Sequence, residues 1–479
     1  MAKESNFLYL FYIFLGLSGS TILPIKFVLQ DDFKIQPVDF ELIFRLSTTL
    51  WMIKFIVGFI INPVINNILY YKILLTACLI TNSVAWGLLS SWSTVEINTV
   101  GQITALLFVV FSTLCVMDVG TDGRMVKHVL NENESDKGNT QTYAWGFRSF
   151  GRLIGGIAVI ILVHRDGLDG VSPQQFLDGF VIIPLIYIIL LWGGIEDDRY
   201  PPVQEKEKIS TQSFCTICKM VFNTFKQNKK MLFFMVILFI TPSSGSNMYL
   251  YLSESIEHHG LGFDTKVLGI IGLVDAGACV LASVLYKKFM RKINLRWLFG
   301  ICIVVACATS AAQLVLLFGI YKDYNISAEV FVVSDDAVGS IVQQLIMLPL
   351  MIIMAHCITP GFETVLYSAF TSLENVLSAV SSFISAAITS ELGIKRGKDG
   401  SINFDKLWIM LIITTSTMVL PLFFLKFIPP KISSYDSLHV IGEDDDEENE
   451  EGIELTIRAR FEAPCPEQNN TLPQNGDVI

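Results

Sequence analysis

The stretch Gly16-Leu17-Ser18-Gly19-Ser20-Thr21, followed by Pro24, interrupts the first long apolar run of the chain. Thr241-Pro242-Ser243-Ser244-Gly245-Ser246-Asn247 interrupts the first apolar run after a polar mid-chain loop. Helix breakers at bilayer depth are tolerable only where protein or a water-filled cavity satisfies the freed backbone groups. Matching breaks near the start of two halves are the sequence mark of a central binding site between them. They predict a site lined by Gly19, Pro24, Pro242 and Gly245, opened to each side of the membrane in turn.

The composition agrees. Of 479 residues, 52% are hydrophobic and only 16% charged, and the mean hydropathy is +0.53, outside the range of soluble domains. The apolar runs are long enough to cross a hydrocarbon core. About twelve spans are expected, giving an all-α polytopic membrane protein of two six-helix halves. The first six are 7–29, 42–61, 71–90, 99–126, 143–163 and 176–194; the second six are 231–252, 267–289, 297–320, 338–358, 362–392 and 407–428. The corresponding organisation is a half over 1–195, a linker over 196–230, a half over 231–430 and a tail over 431–479. The first run is too long for a signal-peptide core and is read as a span.

Much of the net charge of -11 sits in the tail block Glu443-Asp444-Asp445-Asp446-Glu447-Glu448-Asn449-Glu450-Glu451. Such a block is solvated and unfolded, a solvating tail or the docking segment of a cytosolic partner. The membrane part is close to neutral, which excludes nucleic-acid binding. Lys206, Lys208, Lys219, Lys226, Lys229 and Lys230 in the central loop, and Lys287, Lys288, Arg291, Lys292 and Arg296 in the next loop on that side, outweigh Lys34, Arg165 and Lys322 opposite. The positive-inside rule then places both termini in the cytosol and Asn325-Ile326-Ser327, a glycan acceptor pattern, on the other face. Of nine cysteines, Cys78, Cys115, Cys279, Cys302, Cys307 and Cys357 lie in apolar runs and read as small hydrophobes. Cys215 and Cys218 have CxxC spacing without a second Cys/His pair, so neither a metal nor another cofactor is expected. No phosphate-binding loop and no nucleophile–base pattern occurs, so the chain reads as neither an ATP-driven pump nor an enzyme.

Ionisable residues inside spans are costly and mark function. The fourth span carries Asp118, Asp122 and Arg124; the fifth carries Arg148 and Arg152. Each pair at a spacing of four shares a helix face, which allows a carboxylate ladder opposite a guanidinium ladder. Either the ladders lock the first half together, or one Asp faces the cavity and takes a proton or the substrate. Lys54 lies too deep in the second span to snorkel and is expected to face the cavity. Lys26, nearer the end of the first span, is expected to snorkel or to pair near the mouth with Asp31 or Asp32. In the second half Asp275, Glu363 and Glu374 are intramembrane, Asp275 facing the cavity or pairing across the halves. His356 reads as structural. Tyr249 and Tyr251, just past the second break, could stack on a planar ring.

Together these residues resemble the folate–biopterin transporter family, a branch of the major facilitator superfamily. Trp51, Lys54 and Gly58 match its W-x-x-K-x-x-x-G, and Asp118-Val119-Gly120-Thr121-Asp122 matches its D-V-x-x-D. Thr241-Pro242-Ser243 matches T-P-S; Leu285-Tyr286-Lys287-Lys288-Phe289 with Leu295-Arg296 matches L-Y-x-x-F and a later L-R. Pro360-Gly361-Phe362-Glu363 is similar to P-x-G-x-E without its spacer, and Asn62 stands where the family usually has an acid. The resemblance implies a major facilitator fold and import of folates or pterins by a proton symporter. It implies a substrate site of Lys54, Asp118, Asp122, Arg148 and Arg152. Asp118 or Asp122 would read the pterin ring, and Lys54 or Arg152 would hold the glutamate carboxylates. Asp118, Asp122 and Glu363 are the implied proton sites. The expected residence is the plasma membrane rather than an organelle. A cargo such as S-adenosylmethionine, a nucleoside-like metabolite or an amino acid, or a non-transporting sensor acting through the tail, are the alternatives.

Overall fold

The structure, a computed structural model, describes residues 2–31, 33, 37–65, 67–91, 99–130, 132, 138–163, 171–194, 214–258, 260–358, 362–395, 397 and 401–428. Residues Met1–Ser437 form one compact unit and Leu438–Ile479 a second; the second unit, with the acidic block, lies outside the described residues. So do most of the 196–230 linker, Lys34, Asp32, Arg165 and the Thr359-Pro360-Gly361 junction.

The first half contains α1 (Ala2–Gly19), α2 (Ile22–Asp31), α3 (Pro37–Ser47), α4 (Thr49–Met52), α5 (Lys54–Ile65), α6 (Ile68–Ser90), α7 (Val100–Leu130), α8 (Asn139–Leu162) and α9 (Pro173–Gly194). After α10 (Phe214–Gln227) come α11 (Lys229–Phe239), α12 (Gly245–Ser253), α13 (Thr265–Leu285), α14 (Leu295–Leu317), α15 (Ala328–His356), α16 (Glu363–Leu392), α17 (Leu407–Met418) and α18 (Leu420–Phe423). Nine segments among the described residues are long and apolar enough to cross a membrane. The expected second, seventh and eleventh spans fall short of that test and sit in the bundle as α3–α5, α11–α12 and α16.

Both breaks are real, and their freed groups are satisfied by hydroxyls. At the first, Ser20 and Thr21 separate α1 from α2, and their hydroxyls donate to the Leu17 and Ser18 carbonyls, each at 2.7 Å. Gly16 does not break the helix. It stays inside α1 and lets α8 approach: an added Cβ would stand 2.0 Å from the Arg148 carbonyl oxygen. Gly151 does the same from α8, its added Cβ 2.2 Å from the Ile13 carbonyl oxygen. Such small-residue contacts hold helices together where lipid supplies no hydrophobic drive. Pro24 is buried in the first turn of α2, where its missing N–H costs nothing. At the second break, α16 presents hydroxyls at four-residue spacing. Ser381 donates to the Thr241 carbonyl at 2.5 Å, Ser385 accepts from the Ser243 N–H at 2.8 Å, and Thr389 accepts from the Asn247 amide at 2.7 Å.

The second span corrects the expectation of one continuous helix over 42–61. Thr48 and Thr49 bond back to the Phe44 and Leu46 carbonyls, both at 2.8 Å, an arrangement that bends helices. The chain tightens at Ile53, and Lys54 opens a new helix. The tenth span starts ten residues earlier than expected: Ser327 caps α15 by accepting from the Val330 N–H at 3.3 Å. Asp335 and Asp336 therefore fall inside it.

The halves meet along two seams, α8 on α13 and α5 with α7 on α16. In the second half, α13, α14 and α15 share a core of Ala282, Tyr286, Cys302, Leu345 and Leu348.

Candidate functional site

The intramembrane charges of the first half converge. Lys54, at the start of α5, places its Nζ 2.6 Å from Asp118 Oδ2 and 3.5 Å from Asp122 Oδ2 on α7. Arg148 on α8 donates to Asp118 Oδ1 at 3.1 Å, and the Tyr12 hydroxyl on α1 donates to Asp122 Oδ1 at 2.7 Å. Both Asp118 oxygens are thus engaged. The new helix start at residue 54 aims the ammonium back at α7, while Trp51, anchored by donation to the Phe111 carbonyl at 3.0 Å, lays its ring 4.9 Å from Lys54 Nζ.

Exposure divides the cluster. The side chains of Lys54 and Asp118 are 3% and 1% exposed, whereas those of Arg148 and Arg152 keep 24% and 43%. Phe150, Ile154, Ile157 and Ile161 form the exposed apolar stripe of α8, the side a bilayer covers. Arg152 lies two residues from Phe150 and from Ile154, and Arg148 two from Phe150, about 200° round the helix. Their exposure therefore opens away from lipid and toward the second half.

Only one rung of the expected ladder forms. Arg148 meets Asp118, while Arg152, one turn further along α8, pairs with Asp275 on α13 of the other half. Asp275 thus pairs across the halves, and its other oxygen accepts from Ser340 Oγ on α15 at 2.6 Å. Arg124 is kept out of the cluster; it donates to the Ile65 carbonyl at 3.2 Å and lies 4.4 Å over the Tyr71 ring. Gly19 ends α1 against the Arg152 stem. Lys26 lies 4.2 Å over the Tyr249 ring; the side chain of Asp31 and all of Asp32 are outside the described residues. Tyr251 packs edge-on to Phe404 rather than standing free for a ring. Pro242 is buried in the second break and Gly245 begins α12.

Glu374, Asp335 and Asp336 gain importance from the structure. Glu374 on α16 comes within electrostatic reach of Lys54, Arg148 and Asp118 from across the seam. Glu363, also buried, opens the same helix beside Thr364, which packs on Gly58 and Gly123, and is not brought onto the cluster. Asp335 and Asp336 form a second acidic group near Asp275. Their signal in the sequence was the apolar stretch Val330–Val333 before them, which extends the tenth span backwards.

This arrangement, helical halves with buried charges at their seam, is that of a polytopic transporter of the major facilitator fold. The E. coli fucose:proton symporter FucP superposes with a TM-score of 0.53 at 13% identity, covering 89% of this chain and 98% of that one. The nucleoside transporter NupG superposes with a TM-score of 0.59 at 10% identity, covering 90% and 100%. At such identities the likeness is one of fold. The chain belongs to the BT1 family, which it matches over residues 16–447. It is 23% identical over 420 residues to the folate-biopterin transporter of Synechocystis sp., covering 87% of this chain and 80% of that protein. It is also 23% identical over 417 residues to folate transporter 1 of Plasmodium falciparum, covering 85% and 76%. The chain is an integral multi-pass membrane protein and a transporter, not an enzyme.

Proposed function

We propose that this chain moves a folate- or biopterin-type pteridine across a membrane by alternating access, with protons as the coupling ion. The carrying observation is the split in the charge cluster: Lys54 and Asp118 are sealed, while Arg148 and Arg152 keep 24% and 43% of their exposure on the side away from lipid. Guanidinium forks match carboxylates in geometry and charge, so Arg148 and Arg152 receive the glutamate carboxylates of a folate. Asp122, at 11% side-chain exposure the more open of the two α7 acids, reads the N–H edge of the pterin ring. Lys54 and Asp118 fix Arg148 and Asp122 in place. Gly19, Pro24, Pro242 and Gly245 supply the breaks along the path.

A charge count supports proton coupling. Asp118, Asp122 and Glu374 stand against Lys54 and Arg148, one negative charge in surplus. An uncompensated buried charge is expensive, and binding a proton removes it. Asp122 and Glu374 are the preferred carriers, with Asp118 and Glu363 the further members of the proton path. In this reading both termini are cytosolic and the plasma membrane is the site of action. The test is uptake of radiolabelled folate and biopterin by cells expressing the chain, at external pH about 5.5 and about 7.5. Saturable uptake, faster at the acid pH, is expected. Uptake of neither compound, with surface expression confirmed, overturns the reading.

A further inference from the structure

We infer that Asp275 occupies the place of a substrate carboxylate on Arg152, and that its displacement by substrate loads a proton into the second half. This rests on the proposed transport of a carboxylate-bearing pteridine.

One turn along α8 from Arg148, which pairs within its own half, Arg152 reaches across the seam to Asp275 Oδ2. Its stem runs over Gly19, where an added Cβ would stand 3.5 Å from Cγ, so the end of the first helix leaves it room to extend. The pair is open to water, with side chains 43% and 22% exposed. An ion pair so open is weakly held, and a carboxylate arriving on the guanidinium exchanges with Asp275 charge for charge.

The carboxylate left behind is poorly placed to stay charged. Ser340 Oγ, at 2.6 Å, is its remaining donor of normal length, with the Cys279 thiol at 3.9 Å. The elements packed against α13 here are α8 and α15. From α8 the facing charge is Arg152 itself; from α15 it is Asp336, with Asp335 beside it turned to Gln313 on α14; α13 adds Cys279. Asp336 Oδ2 is itself buried without a hydrogen-bond partner among the described residues. Once Arg152 has turned to the substrate, Asp275 faces Asp336 with no cation between them, and a proton from the aqueous path neutralises it. At Arg152 one substrate carboxylate enters for one proton taken by Asp275, so this pair gains no net charge; the second carboxylate goes to Arg148. Release of the substrate returns Arg152 to Asp275 and expels the proton. Biopterin, which lacks a carboxylate, leaves the pair in place.

The test uses the purified full-length protein in a weakly buffered detergent solution with a pH-indicator dye. Folate and biopterin binding are measured at pH about 6 and about 8. Wild type is expected to take up about one proton more per folate bound than per biopterin bound. Asp275→Asn is expected to bind folate about tenfold more tightly at the higher pH, with that extra proton lost, and to bind biopterin as wild type does. Asp275→Glu should restore proton uptake, and Ser340→Ala should weaken its dependence on pH; both guard against a variant that merely misfolds. Proton uptake by Asp275→Asn equal to that of wild type overturns the inference while leaving pteridine transport standing. Wild type that binds neither compound overturns both.

Discussion

Gly58 on α5 and Ser368 on α16 meet so closely that a methyl group at position 58 would stand 2.2 Å from the Ser368 Oγ. The Thr364 carbonyl oxygen lies 3.0 Å from the same point, and the Ser368 hydroxyl is turned to its own helix, donating to the Val365 carbonyl at 2.9 Å. The glycine of the W-x-x-K-x-x-x-G pattern is there to bring the halves together. Gly58→Ala should cost about 1–3 kcal/mol by overpacking, seen as a lowered melting temperature in detergent. Ser368→Gly in the same chain should recover the larger part, because it removes the nearest atoms.

Lys54 is the single ammonium between Asp118 and Asp122, at 2.6 and 3.5 Å. Lys54→Met leaves buried carboxylates facing one another, and removing one partner of a buried pair typically costs about 3–5 kcal/mol. Adding Asp118→Asn should cost less than the two single changes summed, a non-additivity that a double-mutant cycle on thermal unfolding measures directly.

Glu374 carries the surplus charge of the cluster from the opposite half. Glu374→Gln balances the count at two acids and two bases. The ratio of uptake at pH about 5.5 to that at pH about 7.5 should then shrink toward unity at equal surface expression. A ratio unchanged from wild type would move the proton path to Asp122 or Glu363.

Outside the spans, Glu132 accepts from the Gly138 and Thr140 N–H groups, both at 2.6 Å, at the start of α8. Burial nevertheless raises its carboxyl above the ordinary value of 4.5, with the Arg291 guanidinium of the other half pulling the opposite way. A folded-state value raised above the unfolded one means that the native protein binds the proton more readily. That contribution is full below pH 4.5 and is lost as pH rises through the raised value. Wild type minus Glu132→Gln, compared by melting temperature from pH about 4.5 to 7, should therefore decline as pH increases.

Much of this was legible in the residues. Proline and glycine announced both interruptions because hydrophobic periodicity and breakers are local signals. Asp118, Asp122, Arg148 and Lys54 announced a cluster because buried charge must be paired. For Asp275 the residues left two readings open, facing the cavity or pairing across the halves; that Arg152, 123 positions away, is its partner was not legible, because four-residue spacing offers only a ladder within the first half. The resemblance singled out Glu363 as a proton site and left Glu374 as one more intramembrane acid; it is the packing of α16 on α5 and α7 that brings Glu374 within reach of Lys54 and Arg148. The bend before Lys54 was hidden because Thr48 and Thr49 are ordinary residues in an apolar run until their hydroxyls turn inward. Asp336 was missed because two acids beside a hydrophobic stretch read as its boundary.

Ser381 and Ser385 hold the interrupted backbone between α11 and α12 through side-chain hydroxyls, and Thr389 holds the Asn247 side-chain amide in the first turn of α12. This bears on how inherited variants in such a chain are interpreted. A serine-to-alanine exchange is routinely scored as benign, and a proline in a membrane helix as the fragile point. Here the weights reverse: Pro242 only ends a helix, while loss of the Thr389 hydroxyl strands the buried Asn247 amide. Saturation mutagenesis should find position 389 intolerant of alanine but tolerant of serine.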